Sequence, residues 1–109
     1  MDENILNKEL EIREIKETPY MQIARGIVKV LGAPSQDKKP RLLDMVEIYR
    51  EVDKIVLAEL GDKDYGAKYE GHEREILILD TVRMFDGNVI KRQGIKYRLK
   101  GSFRRRLGD

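Results

Sequence analysis

The stretch Met21-Gln22-Ile23-Ala24-Arg25-Gly26-Ile27-Val28-Lys29-Val30-Leu31 decides how the chain is built, and it admits two readings. Ile27, Val28 and Val30 are β-branched and suit a strand kinked at Gly26, a residue that would weaken a helix by roughly 1 kcal/mol relative to alanine. Against this, Thr18-Pro19 followed by apolar residues at 20, 23, 27, 30 and 31, with Gly32 behind them, fits a capped helix. The β-branching and the glycine favour the strand.

The next segment poses the same choice. Leu42, Met45, Val46, Tyr49, Val52, Val56 and Leu60 trace a helical stripe, with Asp44, Glu47, Glu51 and Lys54 opposite and Gly61 placed as a C-terminal cap. The composite alternative makes Leu42 to Tyr49 a strand that pairs back on residues 22–31 across the loop Gly32 to Lys39, followed by a short helix from Glu51 to Leu60. Upstream, Leu10, Ile12 and Ile15 interleave with charged residues in partial strand alternation.

In the last third, Ile76-Leu77-Ile78-Leu79 reads as a buried strand. Val82 to Phe85 then meets Asp86-Gly87-Asn88, a strong hairpin signal, and Val89-Ile90 follows. After a second turn at Gln93-Gly94, Ile95, Tyr97 and Leu99 alternate with Lys96, Arg98 and Lys100, which predicts an amphipathic strand with a basic outer face. Together these readings predict a mainly β fold, a small antiparallel β-barrel or sandwich with one short helix. The alternative is an α+β fold with a long helix at about 41–60. The 109 residues predict a single domain, with 1–8 and 104–109 as flexible ends.

The absence of cysteine excludes disulfides, thiolate zinc sites and thiol catalysis, and a single histidine excludes multi-histidine metal sites. Asp62-x-Asp64-x-Gly66 with Glu73 at the twelfth place lacks the glycine a calcium loop needs at its sixth position, where Ala67 stands. His72 lies beside Glu70, Glu73 and Glu75 but has no partner nucleophile, since the only serines, Ser35 and Ser102, sit in turn-like contexts. No enzyme, metal or cofactor is expected. No apolar run reaches membrane-span length and Met1-Asp2-Glu3-Asn4 does not open a signal peptide, so an intracellular or virion location without membrane contact is expected.

The formal net charge of +2 conceals a division. Residues 1–90 carry 14 Lys and Arg against 19 Asp and Glu, a net of −5, whereas residues 91–109 carry 8 against 1, a net of +7. A concentrated cationic end suits phosphate or an acidic protein surface. The candidate contact residues are Lys91, Arg92, Lys96, Arg98, Lys100, Phe103, Arg104, Arg105 and Arg106, with Phe103 offering a ring on which a base could stack.

Read together, Asp86-Gly87-Asn88-Val89, Gly94-Ile95-Lys96-Tyr97-Arg98-Leu99 and Gly101 resemble the final strands of small neck proteins of tailed bacteriophages, the head-completion, stopper or head-tail connector type. Gly32-Ala33-Pro34-Ser35 between two strands, Lys54 to Gly61 as a short helical turn and Ile76 to Leu79 entering the closing strands fit the same pattern, over about residues 20–103. The resemblance implies a non-enzymatic assembly part: a small barrel whose copies form a ring between portal and tail, with protein partners and a basic tail facing DNA or a neighbouring ring. The rival reading is a small barrel that binds RNA or single-stranded DNA through residues 91–106.

Overall fold

The computed structural model describes residues 19–33 and 41–106, the last three through their backbone alone. The strand read at Leu10 to Ile15, the ends 1–8 and 107–109, and the loop residues 34–40 lie outside the described residues. Those described are mainly helical, with four α-helices and a small three-stranded antiparallel sheet, so the β-barrel or sandwich expected from the sequence is not formed. The barrel implied by the neck-protein resemblance is overturned with it.

The stretch at 21–31 is helix α1 (Tyr20–Leu31), not a strand. Its buried residues Ile23, Ala24, Ile27, Val30 and Leu31 recur at helical spacing. Each large apolar side chain contributes on the order of 1.5–3 kcal/mol when buried, which outweighs the propensity deficit of one glycine and four β-branched residues. Gly26 has a packing reason to be there. A Cβ at this position would lie 3.1 Å from Val52 Cγ1 and 3.8 Å from Val56 Cγ2, so the missing side chain lets α1 lie close against the next helix.

That helix, α2 (Met45–Gly61), follows a two-residue strand, β1 (Leu43–Asp44). Asp44 is its N-cap: the Glu47 amide donates to Asp44 Oδ1 at 2.9 Å and the Asp44 amide donates to Glu47 Oε1 at 3.2 Å, a complete capping box. The long helix of the alternative reading therefore exists from Met45 on, while the strand read over Leu42 to Tyr49 is reduced to Leu43–Asp44 and pairs with Lys96 and Tyr97, not with residues 22–31. The buried row is Ile48, Val52 and Val56; Val46, placed on the inner stripe by sequence, is 55% exposed.

Beyond α2 the chain makes a π-helical turn (Asp62–Gly66) and enters helix α3 (Gly71–Phe85). The π-helical turn buries Tyr65 completely. Its hydroxyl donates to Asp53 Oδ1 at 2.9 Å, and Arg74 Nε donates to the same oxygen at 3.0 Å. Arg74 Nη1 also reaches the carbonyls of Gly66 at 3.0 Å and Tyr69 at 2.8 Å. Desolvation opposes the charge on Arg74, but the hydrogen bond and charge of Asp53 overcome it and hold the guanidinium pKa above its ordinary value. Burial, reinforced by the hydrogen bond and charge of Asp53, pushes the Tyr65 phenol well above its usual range.

Residues 76–79 are likewise helical, with Ile78 buried and Ile76 45% exposed. Asp86-Gly87-Asn88 ends α3 and leads into β2 instead of joining two strands: the Asp86 amide donates to the Val82 carbonyl at 3.1 Å and the Gly87 amide to Ile90 at 2.8 Å. Strands β2 (Ile90–Gln93) and β3 (Lys96–Leu99) form the hairpin, with β3 central in the order β1-β3-β2. A short helix, α4 (Gly101–Arg106), follows. Among the described residues no helix is long and apolar enough to cross a membrane.

Gly26→Leu should destabilise the protein by about 3 kcal/mol or more in denaturant unfolding, because the α1–α2 contact has no room for the side chain. Asp53→Ala should lower stability by about 3 kcal/mol by stranding the Arg74 guanidinium and the Tyr65 hydroxyl. Tyr65 keeps its proton in the folded state at pH values where the unfolded chain loses it, so its contribution to stability is level below about pH 10 and falls above it. Tyr65→Phe should remove that alkaline decline in pH-dependent melting.

Candidate functional site

The β2–β3 hairpin turns through Gly94 and Ile95, and Gly94 holds a φ of +66°, which a two-residue hairpin turn asks of its first position. Ile95 belongs to this turn and is 80% exposed, not an inward residue of the strand. Alternation then works as expected. Tyr97 and Leu99 face the core, with Leu99 opposite Ile90 and Tyr97 opposite Arg92 on one side and Leu43 of β1 on the other.

The other face gathers the cations. Lys91 stands directly opposite Arg98, and Lys96 opposite Gln93, with Asp44 of β1 on its far side. Lys100 continues the alternation just past the strand; its amide donates to the Val89 carbonyl at 2.9 Å and its Nζ to the Gly87 carbonyl at 3.1 Å. Arg92 is exposed near the turn, on the opposite face. Among the described residues, none of Lys91, Arg92, Lys96, Arg98 and Lys100 forms an ion pair with a carboxylate. Arg98 Nε is shielded from solvent and meets no acceptor there.

Like charges placed directly across an antiparallel pair destabilise it by a few tenths of a kcal/mol, whereas a carboxylate at either position would stabilise it. The fold holds this pair in place through the apolar residues on the inner face, Ile90, Tyr97 and Leu99, which anchor the hairpin to the helices.

Phe103 differs from its expected role. Its ring is 2% exposed, packed in the core by α4, and is not open for stacking. Arg104, Arg105 and Arg106 complete the backbone of α4. Thus the structure brings Lys91, Lys96, Arg98 and Lys100 onto one surface and takes Phe103 away from it.

His72, Glu70, Glu73 and Glu75 are exposed at the start of α3. Among the described residues no group of three His, Asp or Glu side chains could hold a metal ion. A feature that sequence reading missed is a groove of about 220 Å³ between α2 and α3, lined by Met45, Val46, Tyr49, Arg50, Glu75 and Leu79. The helical stripe at 42–60 contained three of these residues, but periodicity could not say which of them the core leaves outside.

Comparison with protein-family models, with curated proteins and with solved structures finds no match to this chain, so its function has to be read from its own residues. Lys91→Glu, which sets a carboxylate across from Arg98, should raise the melting temperature, a gain of about 0.5 kcal/mol that calorimetry can resolve.

Proposed function

We propose that the protein is a non-enzymatic binding module that grips the phosphate backbone of a nucleic acid with the outer face of its β2–β3 hairpin. The observation that supports this most directly is the Lys91–Arg98 pair. Two cations stand where the sheet would be more stable with opposite charges, and an incoming phosphate reverses that repulsion. Lys96 and Lys100 extend the positive row on the same face.

The charge on α3 argues against that helix as the contact. Two successive helices can present the second to the major groove of DNA. Here the exposed side chains of α3 include Glu73, Glu75 and Asp80 against Arg83, a surface that phosphates repel. The rings of Tyr97 and Phe103 are buried, so recognition rests on charge and not on base stacking.

Binding should weaken steeply with salt. With four outer-face cations engaged, the slope of log affinity against log salt is about −3 for single strands and nearer −4 for duplex. Fluorescence anisotropy with labelled single-stranded and duplex oligonucleotides across a salt series measures it. Lys91→Glu should abolish most binding while the fold gains stability, and Arg83→Ala should leave binding unchanged. Absence of binding to either form at low salt would defeat the reading.

A second reading, a protein-assembly component of the sort the neck-protein resemblance implies, draws support from the exposed apolar groove between α2 and α3. It gives the basic face an acidic protein neighbour in place of nucleic acid.

A further inference from the structure

The groove between α2 and α3 combines an apolar floor with walls of opposite charge. Its floor is apolar: Met45, Val46 and Tyr49 come from successive turns of α2 and Leu79 from α3, with Val46 55% exposed and neighbouring Ile76 45% exposed. Exposed apolar side chains gathered along one groove point to an interaction surface better than ones scattered singly do. Its walls carry opposite charges, Arg50 on α2 and Glu75 on α3, and among the described residues neither one has an ion-pair partner.

We infer that this face is where two copies of the chain associate, groove against groove about a two-fold axis. A two-fold interface sets the same patch against itself, and with the axis running along the groove each wall residue meets the opposite wall of the other copy. Arg50 then faces Glu75 of the partner subunit, and Glu75 faces Arg50 of the partner subunit. One groove thereby supplies both halves of two ion pairs around an apolar centre, the layout of a buried middle with a charged rim. A polyanion is a poor occupant, because Glu73, Glu75 and Asp80 share the exposed surface of α3. The basic hairpin lies on different elements, β2 and β3.

This inference does not depend on nucleic-acid binding, and its test contains no nucleic acid. Sedimentation equilibrium of the full chain over a wide concentration range should show the mass rising from 12.7 kDa toward twice that value. Arg50→Glu and Glu75→Arg should each weaken association by about tenfold, since the two-fold axis applies every reversal twice. The combined Arg50→Glu and Glu75→Arg protein should recover the parent affinity, because the pairs are re-formed with their signs exchanged. Val46→Asp should hold the protein monomeric, with circular dichroism confirming the fold. A mass that stays at one chain throughout would overturn the inference. So would a dimer indifferent to the single reversals, or folded single variants whose combination fails to restore association.

Discussion

One oxygen, Oδ1 of Asp53, holds the helical body in register. It accepts hydrogen bonds from the Tyr65 hydroxyl of the π-helical turn and from Arg74 Nε of α3, while Arg74 also ties down the carbonyls of Gly66 and Tyr69. The two charged side chains are only 13% and 17% exposed, so neither can be left without the other. The geometry of this cluster sets how α3 lies on α2. Since α3 runs through a tight turn directly into β2, it also sets where the hairpin is presented. A buried ion pair is weak evidence of net stability; what it supplies here is a single permitted arrangement.

The molecule separates its two tasks by face. Burial is handled on the inner side, where α1, α2 and α3 meet the apolar residues of the hairpin and Phe103 of α4 in one continuous core. The outer face of the hairpin is thereby free to carry charges that do nothing for folding. Alternation along β2 and β3 makes this division possible with only four residues per strand: each inward anchor is followed by an outward cation or amide, apart from Arg92 near the turn.

The legible parts of the sequence were those in which pattern and packing agree. The helix after Asp44 shows its apolar stripe, though not its cap, and the basic strand before Leu99 shows its period of two. The misread parts share a physical cause. At Gly26 the residue that lowers helix propensity is required by the neighbouring helix, and a neighbour is invisible in a local window. At Ile76 to Leu79 four apolar residues in a row satisfy a strand, yet in α3 Leu77, Ile78 and Leu79 point inward or sideways and Ile76 points out, a distinction periodicity does not draw in so short a run. Phe103 stands among arginines in the chain, but the helix turns its ring into the core. The cations of the candidate site were thus visible by composition; the aromatic beside them was not, because burial decides its availability.

Strand β1 is two residues long, too short for its own hydrophobic pattern to fix its alignment. Its second residue is also the cap of α2. Sliding β1 by a single position along β3 would turn Leu43 to solvent, and the same movement would pull Asp44 off the amide of Glu47. A misaligned chain is therefore rejected twice by one displacement, once through lost burial and once through an uncapped helix. Fidelity that a longer strand would draw from length is obtained here from an aspartate that serves two elements at once.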